Sequence, residues 1–203
     1  TRNVALAADS AGVPIVAIST DYVFDGRKGS PYLEFDDPNP LSVYGRTKLA
    51  GERLALQVSS RVSIARTSWV YSRDARNFPT TMLRLAATRP ELTVVADEFG
   101  CPTFADDLAD ALVKLASRRE YGIYHLVNSG GCSRYDLARA VLAAAGSTTA
   151  VRATTTREYL ARYPLPARRP ADSRMRNLAA AALGITLRPW DEAIRACFGG
   201  QSA

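Results

Sequence analysis

The sequence predicts an α/β fold, a parallel sheet flanked by helices and followed by a smaller lobe. Two observations carry this. Two short apolar runs, residues 13–19 (VPIVAIS) and 63–70 (SIARTSWV), lack polar alternation, as strands covered on both faces do. Segments with helical apolar spacing lie before, between and after them, and each run leads into a polar loop. The 203 residues fit one large domain, or one domain with a small lobe.

Taken in order, residues 2–11 have apolar positions that suit a helix, with Gly12 as its stop. Residues 13–19 form the first buried strand. Residues 25–40 (DGRKGS, then DDPNP) read as a long surface loop beside a strand end, a place where function often sits. Ser42 is a candidate cap for a helix over 43–59, and 63–70 is the second buried strand. A helix over 78–88, stopped by Arg89-Pro90, leads to a short strand at 92–96. Residues 97–103 (DEFGCPT) are a loop, and Thr103 is a candidate cap for a helix reaching Ser117. A strand at 122–128 and a turn at 129–133 precede a helix over 134–145 capped by Ser133. Beyond it come a strand near Val151, a helical turn near 158–161, irregular backbone over 164–173, and a tail at 199–203. Short helices at 178–183 and 189–198 lie between, the second with Asp191 and Glu192 at its positive end.

Composition narrows the function. Apolar residues make up 47%, enough for a core and against disorder. No apolar run approaches the ~18–20 residues a membrane span needs, and residues 1–10 do not read as a leader. Cys101, Cys132 and Cys197 are odd in number and widely spaced, so they read as buried or incidental thiols in a reducing cytoplasm. The single His125, inside a strand, reads as a packed side chain, and no metal-ligand cluster is present. The net charge of +6 comes largely from scattered arginines without aromatic interleaving, which argues against nucleic acid as a partner.

The residues with chemistry lie between Ile18 and Glu52. ISTDYVFDG ends a strand in hydroxyls; VYGRTKLAGE puts Tyr44 and Lys48 four apart on one helix face. An ammonium in that place favours the phenolate form of the tyrosine. A tyrosine so tuned can give its proton to an oxygen that becomes an alkoxide. Thr20, at the C-terminal end of the first strand, is placed to hydrogen-bond the same oxygen, because open α/β sheets bind ligands at that edge.

ISTDYVFDG with YGRTKLAGE resembles the extended short-chain dehydrogenase/reductases, and more narrowly the dTDP-4-dehydrorhamnose reductases. The likeness continues through RTSWVY, NFPTTMLRLA, LTVVADEFGCPT, ADDLADAL, ARRPADSRMRN and PWDEAI. It implies a partial NAD(P)-binding, Rossmann-like doubly wound sheet with a smaller C-terminal substrate-binding lobe. Residues 1–72 would carry the catalytic helix, and 73–203 would be mainly the lobe, with elements returning to the sheet. The implied reaction is NAD(P)H-dependent reduction of the C4 ketone of dTDP-4-dehydro-6-deoxy-L-mannose to dTDP-L-rhamnose.

The same resemblance implies residue roles. Thr20, Tyr44 and Lys48 match the catalytic trio, with Tyr44 and Lys48 also at the cofactor. Ser19, Thr20, Asp21, Tyr22 and Trp69 match substrate contacts, although Trp69 read by itself is a core aromatic. Asn77 and Phe78 match a segment near the substrate. Arg168 and Arg169 fall in a segment near the nucleotide, or form a solvated basic loop. Some relatives dimerise around a metal, so Mg2+ and a homodimer enter by resemblance alone. Another dTDP-deoxysugar 4-ketoreductase, or a non-catalytic subunit like the regulatory subunit of methionine adenosyltransferase, shares the scaffold. Glu98 stands where the family often has Gln. GxxGxxG is missing, as if the chain began on the order of 80–90 residues inside such a protein, at ~30 residues per βα unit. NAD and NADP are equally open.

Overall fold

A computed structural model describes residues 1–164 and 167–200. Leu165 and Pro166 of the expected irregular segment, and residues 201–203 of the expected tail, lie outside the described residues. In chain order the elements begin with α1 (Arg2–Ser10), β1 (Ile15–Thr20), α2 (Val43–Val58), β2 (Val62–Thr67), β3 (Val70–Tyr71) and α3 (Phe78–Ala86). They continue with β4 (Glu91–Val95), β5 (Phe99–Gly100), β6 (Thr103–Phe104), α4 (Ala105–Ala116), β7 (Gly122–His125) and β8 (Cys132–Ser133). The last are α5 (Arg134–Ala144), β9 (Ala150–Thr154), α6 (Thr156–Arg162), α7 (Leu178–Ala182) and α8 (Trp190–Phe198). No helix among the described residues is long and apolar enough to cross a membrane.

The main sheet has the order β1-β2-β7 and is parallel throughout. Its centre, β2, is buried at every residue, as its lack of alternation predicts. Successive side chains point to opposite faces. Val62 and Ile64 meet Ala5 of α1 and Ala55 of α2 on one face. Ala65 meets Leu108, Ala111 and Leu115 of α4, with Ile185 beyond α7, on the other. Helices on both faces make the sheet doubly wound.

Burial differs from expectation at β1. It is flanked only by β2, and although Val16 packs into the α4 face, Ile18 on the same face is 52% exposed. Among the described residues β1 has a strand neighbour on one side, which leaves Ile18 uncovered.

The lobe is built on the parallel pair β4 and β9, covered by α3 and α5 through Met82, Leu92, Val94 and Leu142. Two more small ladders, β3 with β6 and β5 with β8, organise the stretches expected to be loops at 97–103 and 129–133. Ser133 caps α5 as expected, in a reciprocal capping box with Asp136. Thr103 does not cap α4. Its hydroxyl donates to the carbonyl of Cys101, and Phe104 takes the cap position without a side-chain bond. The free N–H of Phe104 donates instead to Asn128 Oδ1 at 2.8 Å. All three cysteines are buried and unpaired.

His125 is fully buried at the end of β7. Its ring Nδ1–H donates to the carbonyl of Arg176 at 3.2 Å, and Glu34 accepts from its backbone N–H. Burial, aided by the nearby charge of Arg66, pushes the ring down to about 3. A folded-state value below the unfolded ~6.5 means the native protein binds fewer protons. The stability it contributes is complete above ~6.5 and is lost as pH falls from there towards 3. His125→Gln is therefore expected to lose less stability than the wild type between pH 6.5 and 4.5, read from urea midpoints. Parallel pH curves for the two proteins would refute this.

Candidate active site

The helix α2 is set down by its own sequence. Ser42 accepts the N–H of Gly45 at 3.1 Å and so starts the helix. Tyr44, Lys48 and Glu52 then follow at four-residue spacing on one face. The Glu52 end of that face is buried, while Tyr44 is 53% exposed. A Cβ at position 45 would overlap the carbonyl oxygen of Tyr22, so glycine alone lets the helix come this close.

Two contacts fix the helix to the sheet. Lys48 Nζ donates to the carbonyl of Ile18 at 2.6 Å. Glu52, 3% exposed, accepts from Ser19 Oγ and from Arg66, with Arg66 Nη2 to Oε2 at 2.7 Å and Nε to Oε1 at 3.1 Å. Arg66 is 1% exposed and lies over the ring of Phe24. Breaking a buried pair leaves the other charge uncompensated, at a cost of ~3–5 kcal/mol. Glu52→Gln is expected to destabilise the fold on that scale in urea unfolding, and a loss below ~1 kcal/mol would contradict the clamp.

At the C-terminal end of β1 the chain turns through a short 3-10 helix, Asp21–Val23. Thr20 Oγ1 accepts the N–H of Tyr22 at 3.2 Å and donates to Asp21 Oδ1 at 3.0 Å. Ser173 Oγ donates to the other oxygen of Asp21 at 2.5 Å. Asp21 is 2% exposed, and burial raises its carboxyl above the usual carboxylate range despite these hydroxyls. The ring of Tyr22 meets that of Tyr44 edge-on, centroids 5.8 Å apart. Thr20, Asp21, Tyr22, Tyr44 and Lys48 thus share one end of the sheet. Ser19 points to the other face, where Glu52 holds its hydroxyl.

Trp69 closes the far side. It has φ +45, unusual for a bulky residue and typical of constrained sites. Its indole is sandwiched between Gly100, where a Cβ would overlap the ring, and Arg134, whose guanidinium lies 3.4 Å from the ring centroid. Phe78 flanks the same guanidinium at 5.1 Å. Asn77 works for the backbone: Oδ1 accepts from Thr80 to cap α3, and Nδ2 donates to Ser72 and Ala75. Arg169 pairs with Glu98 at 3.8 Å, and with Arg168 both line a cavity of about 450 Å³ beside Asp97, Thr156 and Leu160. A separate cavity of about 590 Å³, reaching from Pro31 to Leu187, contains none of the expected residues.

Arg134 escaped the sequence reading. A lone arginine at the start of an amphipathic helix looks like a solvated one; only the position directly after the Ser133 cap hinted at its placement. Among the described residues no three His, Cys, Asp or Glu side chains converge as a metal site. An exposed tyrosine hydroxyl and a lysine ammonium on one helix face do fit the ribose of a nicotinamide cofactor.

Gly100→Ala is expected to force the indole of Trp69 aside. The readout is a shifted tryptophan emission together with a lower melting temperature, and a spectrum identical to wild type would contradict the packing.

The family model described as the RmlD substrate binding domain matches residues 1–201. A spore coat polysaccharide biosynthesis protein of Bacillus subtilis is 44% identical over 94% of this chain and 66% of its own length. A dTDP-4-dehydrorhamnose reductase of Sinorhizobium fredii is 45% identical over 93% of this chain and 67% of its own length. The chain thus spans about two thirds of the length of these curated relatives. Among solved structures, a dTDP-4-dehydrorhamnose reductase of Bacillus anthracis in complex with NADP superimposes with a TM-score of 0.91. It is 37% identical, covering 97% of this chain and 69% of the other. With its doubly covered parallel sheet and these matches, the chain belongs to the dTDP-4-dehydrorhamnose reductase family.

Proposed function

We propose that this chain carries the proton donor and the sugar site of an NAD(P)H-dependent reductase acting on the C4 ketone of dTDP-4-dehydro-6-deoxy-L-mannose, giving dTDP-L-rhamnose. The observation that carries the reading is the common placement of Tyr44, Lys48 and Thr20. Tyr44 stands exposed, Lys48 is tied to the strand end by the carbonyl of Ile18, and Thr20 lies at that same end. The names of the relatives support the substrate, and the NADP complex of the Bacillus anthracis protein supports the cofactor class. Residues 1–72 supply the Tyr/Lys part of this site, and 73–203 mainly the substrate lobe.

In this mechanism Tyr44 and Lys48 hold the nicotinamide ribose. The reduced nicotinamide, when bound, supplies the hydride. Tyr44 gives its hydroxyl proton to the C4 oxygen as negative charge develops there. Thr20 exchanges its bond to Asp21 for one to the same oxygen. Asp21 and Tyr22 contact the sugar, and Trp69, its ring faces covered by Gly100 and Arg134, meets it with the ring edge. Arg168 and Arg169 face the nucleotide. Ser19 contributes through Glu52, by fixing the helix.

Tyr44→Phe is expected to lower turnover at least ~100-fold, the scale of lost general-acid catalysis, with the dTDP-sugar still bound. Turnover close to wild type would sink the assignment. Chromatographic identification of the product as dTDP-L-rhamnose checks the substrate.

A further inference from the structure

Arg66 is buried and Arg134 half-buried, and they are treated differently. Arg66 has the carboxylate of Glu52, although its Nη1 is left without a partner. Arg134 has no ion-pair partner and no side-chain hydrogen bond among the described residues, and its Nε is wholly buried and unsatisfied. Desolvation pushes its guanidinium down to about 10. A buried N–H without an acceptor is costly, and more so when it carries charge. The stack on Trp69 offsets part of that cost and fixes the plane of the fork. It leaves the Nε–H unanswered.

The surroundings indicate what would answer it. The Arg134 backbone N–H donates to the carbonyl of Glu98 at 3.1 Å, which sets the residue beside the Arg168 and Arg169 cavity. The side chain of Glu98 is turned to Arg169. Asp21 is occupied by Thr20 and Ser173. Arg168 and Arg169 line this region, Arg134 adjoins it through the Glu98 main chain, and the carboxylates of Glu98 and Asp21 are already engaged. An oriented, partly desolvated guanidinium is the group that best matches a phosphoryl oxygen.

We propose that Arg134 is a ligand-binding residue whose unsatisfied Nε–H donates to a phosphoryl oxygen of a nucleoside diphosphate, with Trp69 holding the guanidinium in place. The inference rests on the nucleotide-sugar reading above and adds to it a residue and the atom class it recognises.

The test is binding, independent of turnover. Wild type, Arg134→Met and Arg134→Lys are titrated with dTDP by calorimetry and with thymidine by NMR line broadening. Arg134→Met is expected to weaken dTDP by about 10-fold or more, the scale of a lost charged hydrogen bond, with thymidine unchanged. Equal losses for dTDP and thymidine would overturn the proposal and make Arg134 a support for Trp69. Unchanged dTDP affinity would overturn it too. If Arg134→Met does not fold, Arg134→Lys decides. It keeps the charge but not the fork, so dTDP should weaken by about 3-fold or more, and wild-type affinity would refute the proposal. Absence of dTDP binding in the wild type would remove the nucleotide-sugar reading itself, an outcome distinct from the others.

Discussion

The buried carboxylate of Glu52 holds the sheet and the helix α2 in one register. It accepts from Ser19 on β1 and from Arg66 on β2, so one side chain joins two neighbouring strands to the helix across them. Lys48 adds a second tie one turn earlier, to the carbonyl of Ile18. Since Tyr44, Lys48 and Glu52 share a helix face, rotation of α2 that moved Tyr44 would break the pair below it. Desolvation of the two charges opposes their attraction, so the pair contributes little net stability. Its effect is to disfavour other placements of the helix.

Opposite that rigid wall stands one made of separate pieces. Trp69 follows β2, Gly100 ends β5, Phe78 begins α3, and Arg134 begins α5. They meet because short ladders tie their flanks together, β3 to β6 and β5 to β8. The left-handed backbone at Trp69 costs on the order of 1–3 kcal/mol, and the sandwich of Gly100 and Arg134 keeps the indole where that conformation puts it. One group of these residues is thus fixed by an ion pair and the other by stacking.

Much of the fold was legible because local signals agreed with tertiary ones. The apolar run at 13–19, the caps Ser42 and Ser133, and the stop at Gly12 each report a backbone property that survives in the folded chain, whereas the run at 63–70 is cut short, β2 ending at Thr67 before the left-handed Trp69. What was missed depended on contacts distant in sequence. Ile18 looks as buried as Ile64 until its strand is known to have, among the described residues, a strand neighbour on one side. Thr103 looks like a cap until β3 recruits it into a ladder. The same division holds at the site. Tyr44, Lys48 and Thr20 are close in sequence and follow a local rule. Arg134 is 65 positions from Trp69, and its role as the other face of that indole exists only in three dimensions.

The contact between Gly45 and the carbonyl of Tyr22 has a consequence for how this protein can vary over time. The gap between helix and turn is set by main chain against main chain, so neighbouring side chains can drift without altering it. Arg46 and Thr47 face solvent and are open to substitution. Position 45 is not, although its residue has no functional group. An atom that is missing there defines the height of the Tyr44 hydroxyl above the strand end, and descendants of this sequence inherit that spacing as a vacancy.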